Sequence, residues 1–453
     1  MNDLQILLLT IILGSTFALI FYIRRLFQQK EELIGSPSQP QQEPQEEEEE
    51  ATCLDDRSTT ELPVQGKKKA PQRNKATKTT SFSHPWLLTN LKGHSGRVLD
   101  LSLSANGKYI ASTSEDRSVL IWFFKDLSSK EHKTWRGNVE FDHGIKVSWS
   151  PDSKAYVVHK ATANQIQVYK MIKKDGGVPP NISAAPIEFQ PLKFDVIALE
   201  FSSNGKFMMT CTDKSTLTIW SLKGDKLEEI ETYHMNINYC AKISPCGRFV
   251  GTSGFTPDVE IYEVKFTKTG EFTKIHRAFS LTGHNSGVYA FDFNSDSSRM
   301  VSISKDGKIR LFDTNIEYAK GQDPSLIASR SLGLEESALQ NGVLLRLSPN
   351  SRSIALAFQK ELHFFSGTDL KPLGVIEEVH SDPLTQVYFD AESKYLITSG
   401  DKHLRVFHNI PGLRETIRDL EAKLKETNTA TKKELLESQI REARSNLKSL
   451  TGE

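Results

Sequence analysis

The chain lacks net charge: its 453 residues carry 57 Lys and Arg against 57 Asp and Glu, which excludes a uniformly basic nucleic-acid coat. Cysteine is scarce, four in all, which excludes a disulfide scaffold. Cys240 and Cys246 are the one close pair, and neither Cys53 nor Cys211 supplies a second, so zinc is unsupported and buried or free thiols in a reducing compartment are expected. Catalytic signatures are missing too. No Gly-x-Ser-x-Gly, P-loop or dinucleotide-binding fingerprint occurs, and no cofactor or metal is implied. Apolar residues make up 38%, and at this length the options are two or three ordinary domains or one large repeat array.

What is present is unevenly placed. Leu4 to Ile23 is an uncharged run which, as a helix, spans about 30 Å, the thickness of the hydrocarbon core. Basic residues precede the apolar run of a cleavable signal, whereas here Arg24, Arg25 and Lys30 follow it. Residues 1–23 therefore read as an uncleaved membrane anchor whose chain leaves into the cytosol. Asn181-Ile182-Ser183 is a glycosylation sequon, so glycan on Asn181 would contradict that orientation.

Residues 24–81 read as a disordered linker, with too little apolar surface to offset chain entropy. It holds an acidic run, Glu46 to Glu50, and a basic block of Lys67, Lys68, Lys69, Arg73, Lys75 and Lys78. Three uses of the block stay open: nuclear import, anionic lipid, or RNA. With no aromatic residue interleaved, an RNA contact there would be salt-sensitive and sequence-blind.

From residue 82 a phrase recurs: an apolar residue, a small polar one, two turn formers, Gly or Ser, then usually Lys or Arg. It begins at Leu103, Trp149, Phe201, Ile243, Phe293, Leu347 and Phe389, 42 to 54 positions apart. Alternating apolar runs flank each copy, so each phrase joins two adjacent strands and a third follows. Three or four strands per unit, seven times over, predicts an all-β seven-bladed propeller across 82–408. The seventh unit runs out of strand at His408, and Phe82 to Leu91 is expected to supply its fourth and close the ring.

These phrases resemble WD40 repeats. The best copies are Gly93-His94 with Asp116 and Trp122, and Gly283-His284 with Asp306 and Phe312; a weaker one is Val379-His380 with Asp401 and Phe407. In that family the His, a Ser or Thr of the second strand, the Asp of the hairpin and the Trp of the third strand hydrogen-bond within a blade. The resemblance implies three such sets here: His94, Ser112, Asp116 and Trp122; His284, Ser302 and Asp306; and His380, Thr398 and Asp401. Phe312 and Phe407 lack the indole N–H, so the last two are truncated. In the third unit Asp213 stands one place off its usual spacing to Trp220.

Residues 412–450 are helix-forming. Leu413, Ile417, Leu420 and Leu424 make one apolar stripe, and Leu436, Ile440, Ala443, Leu447 and Leu450 a second, after a break near 427–430. Thr431 with Glu434 reads as a capping box. A hairpin packed on the propeller or on itself and a short partner-binding coiled coil both fit.

Two function classes remain. One is a membrane-tethered scaffold presenting propeller loops to protein partners or RNA; the other is an enzyme-like sensor using the central channel. The first needs no catalytic group, and a non-enzyme is expected. The long connections Lys173 to Ala185 and Gly321 to Asn341 are candidate contact loops. The whole arrangement of anchor, charged linker, degenerate array and terminal helix is similar to an anchored branch of the WD40 proteins. That resemblance implies an endoplasmic-reticulum membrane protein of the unfolded-protein response, with its amino terminus luminal and its propeller cytosolic. It also implies partners: the ER-stress kinase that phosphorylates a translation initiation factor, and ribosomes or messenger RNA.

Overall fold

Each of the seven phrases folds into the same turn, because its second residue carries a side-chain oxygen that accepts the N–H five positions on. Ser104 takes Tyr109 N at 2.9 Å, and Ser150, Ser202, Ser244, Asn294, Ser348 and Asp390 do the same for their own units. The fifth residue is left-handed in all seven copies, with φ from 56° at Ser153 to 69° at Gly247. That conformation explains why glycine alternates there with serine. Sequence spacing thus becomes backbone geometry, and the turn sets the register of the strands on either side.

The computed structural model describes residues 82–172, 180–235, 237–333, 339 and 342–452. Seven four-stranded antiparallel sheets radiate as blades. In the first, the order from the axis outward is Val98–Leu103, Tyr109–Ser114, Ser118–Phe123 and Thr134–Asn138. The chain is a seven-bladed β-propeller with carboxy-terminal helices. Its core lies between blades: Leu101, Ile110 and Trp122 of the first pack with Ile397, Leu404 and Val406 of the seventh. Burying each such side chain is worth roughly 1.5–3 kcal/mol.

The ring closes with Leu87–Lys92, which pairs antiparallel with His403–His408. This strand starts later than the expected Phe82. Pro85 has no N–H for a ladder, and Leu87 N bonds back to His84 O at 3.0 Å in a turn. Phe82 and Trp86 pack instead edge-on to Phe407 and Phe364.

Two expected loops are corrected. Asn181–Ala184 and Ser325–Ser331 are the outer strands of the second and fifth blades. The first is half-exposed and the second largely so, and no apolar alternation marks either. The rest of the first connection, 173–179, lies outside the described residues, as do 334–338, 340 and 341 of the second.

The carboxy-terminal segment is a helical hairpin on the propeller: α1, Ile410–Glu426, and α2, Ala430–Thr451. Asn409 caps α1 by accepting Gly412 N, with Pro411 tolerated in the first turn. Arg352 of the sixth blade reaches Asp419 at 2.6 Å, and Ser366 donates to Glu415 at 2.7 Å. Buried Ile417, Leu436 and Ile440 carry the predicted stripes, and Arg444 of α2 bonds Glu421 of α1. The capping box is not formed: α2 starts at Ala430 after Thr429, which makes no side-chain cap bond, so Thr431 already lies inside the helix.

The expected anchor 1–23 and linker 24–81, with Lys67, Lys68, Lys69, Arg73, Lys75 and Lys78, lie outside the described residues. Among the described residues no helix is long and apolar enough to cross a membrane.

Candidate interaction surface

The end of the propeller where the chain enters each innermost strand is here the entry face; the phrase turns form the opposite end. Blade networks lie just beneath the entry face. In the first unit His94 Nδ1 lies 2.9 Å from Asp116 and Nε2 2.8 Å from Ser112 Oγ, which also accepts Trp122 Nε1 at 2.8 Å. Ser95 N and Ser118 donate to the same carboxylate. Burial alone would raise Asp116, but the bonds from Ser118, Ser95 and His94 win and hold it at about 2. Burial lowers His94 despite that carboxylate.

The structure also brings together the other predicted sets. His284 lies 3.1 Å from Asp306 and 2.8 Å from Ser302. His380 meets Thr398 at 2.9 Å and Asp401 at 3.1 Å. Asp401 comes 21 rather than 22 residues after its histidine, and Arg405 fills the offset, contacting His380 and bonding Asp401 at 2.9 Å.

Sequence reasoning missed a fourth histidine. His234 bonds Thr252 at 3.0 Å and Thr256 at 2.6 Å. No Gly-His pair marks it, yet its spacings of 18 and 22 match those of His94 to Ser112 and Asp116. With no carboxylate beside it, burial pushes His234 down to about 4. The third unit keeps only Trp220 Nε1 donating to Thr210 at 2.8 Å, with Leu192 at the histidine position. In the second and sixth, Val158 and Leu356 stand where Ser112 stands in the first, by strand register.

Side chains around the axis alternate in sign through six blades: Asp100, Lys146, Glu200, Lys242, Asp292 and Arg346. All but Asp292 line a cavity of about 390 Å³. Each carboxylate accepts a backbone N–H of the next blade: Asp100 from Val147 at 2.9 Å, Glu200 from Ile243 at 2.7 Å, Asp292 from Leu347 at 2.8 Å. Lys242 pairs with Asp292 at 2.8 Å, and Arg346 donates to Val387 O while lying over Tyr388. Burial raises Asp100 and Glu200. These bonds staple neighbouring blades together, which gives the channel charges a structural role.

Cys240 lines the axial cavity and is partly buried, Cys211 is buried between blades, and desolvation raises both thiols; Cys246 sits exposed on a phrase turn. Among the described residues no three His, Cys, Asp or Glu side chains converge as for a metal. His132 bonds Thr89, His143 lies beside Asp142, and His363 bonds Glu361 and stacks on Phe358.

Comparison with known proteins places these repeats. The profile of the WD domain, G-beta repeat, matches residues 85–122, 191–221, 276–313 and 370–408. Mouse transducin beta-like protein 2 is 40% identical over 396 residues, 86% of this chain and 88% of that protein. The human protein of the same name is 40% identical over 386 residues, 85% of this chain and 84% of that one. A fruit-fly actin-interacting protein 1 is 24% identical over 227 residues, 48% of this chain and 34% of its own length.

Proposed function

This chain belongs to the transducin beta-like protein 2 family of WD40-repeat proteins, and on that premise we propose that it is a membrane-tethered scaffold of the endoplasmic reticulum. Its anchor is Leu4 to Ile23, its propeller faces the cytosol, and its loop surfaces bind protein partners. By resemblance the partners are the ER-stress initiation-factor kinase and the translation machinery, which the scaffold brings together during the unfolded-protein response. The anchor and linker give proximity to the kinase, and the propeller engages the ribosome or messenger RNA.

One observation carries the scaffold reading. The recurring His, Ser, Thr and Asp side chains bond within their blades, and the axial charges bond between blades. What remains for function is the loop surface. The flank of Arg24 and Arg25 supports the orientation.

A chain beginning at residue 82 tests the tether: it should lose both ER residence and kinase association. Retention of both would remove the assignment of those roles to the amino-terminal region. Recovery of partners with and without RNase separates protein contacts from RNA-mediated ones. Asn181 is exposed on an outer strand, so an unmodified Asn181 is expected in membranes, and glycan there would reverse the orientation.

A further inference from the structure

Six large apolar side chains stand exposed together on the entry face. They are Phe141, Phe194, Tyr233, Met235, Ile237 and Phe255, and all belong to loops of the second, third and fourth units. Among the described residues the entry loops of the other four units expose none of comparable size.

Hydrogen bonds join these loops into one arc. Asp142 accepts the N–H groups of Thr162 and Ala163. Asn164, in that same loop, donates to Phe194 O at 3.2 Å, and Asp213 N donates to Asp195 O at 2.9 Å. Asn238 N then reaches Asp213 O, and Phe255 N reaches Ile237 O, both at 3.0 Å. The side chains are therefore carried by a fixed frame.

Two of them oppose the fold. Phe141 has φ 58° and is 94% exposed; Met235 has φ 51° and is 72% exposed. A left-handed backbone disfavours any residue with a Cβ, and neither side chain regains that cost by burial. Folding thus does not account for a phenylalanine and a methionine at those positions.

We propose that this arc is a docking surface for a basic amphipathic helix of a partner protein. The arc crosses three blades, and with sheets about 10 Å apart near the axis it spans about 20–30 Å, the length of a helix of about 18 residues. It is built of loops and offers no free strand edge, so an added strand has no ladder to join; a helix needs only apolar contacts. Charge selects the sign of the helix. Glu140, Asp195, Asp213 and Asp258 stand on these loops against Lys193 and Lys214; Lys214 is itself 3.3 Å from Asp213, and Arg277, which lies over the Tyr233 ring, is taken up by Glu260 at 2.9 Å. Leucine-type residues on one face of the helix meet the arc, and its lysines or arginines meet the carboxylates. The inference rests on the scaffold reading and specifies its surface.

The test uses the full chain in neutral phosphatidylcholine nanodiscs and a fluorescein-labelled 18-residue Leu/Lys amphipathic peptide, read by anisotropy. Saturable binding is expected, at least tenfold weaker in a chain carrying Phe141→Ser and Met235→Ser, and unchanged in one carrying Leu222→Ser and Val375→Ser elsewhere on the surface. A Leu/Glu peptide should bind at least tenfold more weakly. As a second variant, Glu140→Lys with Asp195→Lys should reverse the peptide preference while all six apolar positions stay intact. Equal binding by the serine variant, or no charge preference, overturns the proposal. Cosedimentation with phosphatidylserine vesicles that the serine variant loses would assign the arc to a lipid surface and also overturn it. If that variant fails these tests of the arc yet still recovers protein partners in pull-down, only the arc falls and the scaffold reading stands.

Discussion

The first and second blades have the same four strands and adjoin each other, yet they hold their entry loops together in opposite ways. In the first, Asp116 lies in the turn between second and third strands and reaches across to Ser95 N and His94. In the second the carboxylate has moved: Asp142 lies in the loop entering the blade and accepts N–H groups from Thr162 and Ala163 in the opposite turn. By strand register Val158 and Tyr169 replace the serine and tryptophan beneath, and both are buried. A propeller unit therefore needs a tie between its two entry loops, but not a fixed residue to make it. Once the histidine is gone, the loop that carried it is free to present something else, which in the second unit is Phe141.

Removing the two carboxylates separately would break this comparison most directly. Asp116→Ala should cost about 3 kcal/mol, because it strands His94 and two N–H donors. Asp142→Ala should cost about the same although no motif marks it, since three backbone N–H groups lose their acceptor. Thermal midpoints of the two variants should fall together. A shift for Asp116→Ala alone would mean that the second blade is held by the packing of Val158 and Tyr169 and not by a relocated carboxylate.

The fourth blade stands between these cases, and replacing its histidine sharpens the comparison. His234→Leu removes two hydroxyl partners and should cost about 1–2 kcal/mol, less than either carboxylate, since the third unit already carries Leu192 in that place. Its dependence on pH follows from burial. His234 titrates near 4 in the fold against 6.5 for the free side chain, so the unfolded chain binds the extra proton first. Stability from this group is complete above about pH 6.5 and falls as pH drops toward 4. The gap between the native chain and His234→Leu should accordingly narrow from pH 7.5 to pH 5 in denaturation midpoints. His94, His284 and His380 are lowered in the same direction by burial, so the native chain should weaken over this range overall. Asp116, held at about 2, gives up its share only at lower pH, between about 4 and 2.

Period and turn chemistry were legible because they are local. The seven phrases specify a side-chain acceptor and a left-handed residue within six positions, and those requirements leave their mark on composition. Blade networks were legible where Gly-His announced them and hidden where only spacing remained, as at His234. Outer strands such as Ser325–Ser331 were illegible because solvent takes the place of a packing partner and imposes no alternation. The channel charges fall 42 to 54 residues apart in sequence, one per blade, and acquire a role only when the ring makes the next blade's N–H their neighbour. The apolar arc is the extreme case. Phe141, Met235 and Phe255 look in sequence like any core residues, and the closed fold alone shows that they are left outside.

Phe141→Asn carries the smallest expected effect and bears most directly on what the second blade presents. Asparagine tolerates the left-handed backbone better than phenylalanine, and the ring of Phe141 buries almost nothing. The substitution should leave the thermal midpoint unchanged or raise it, by up to about 1 kcal/mol. A loss above 1 kcal/mol would mean that the ring packs in solution, and the second blade would then resemble the first in spending its entry loop on stability. A neutral or stabilising result would show that the blade forgoes stability by keeping phenylalanine there, which sets it apart from the first blade, where His94 and Asp116 are both tied into the fold.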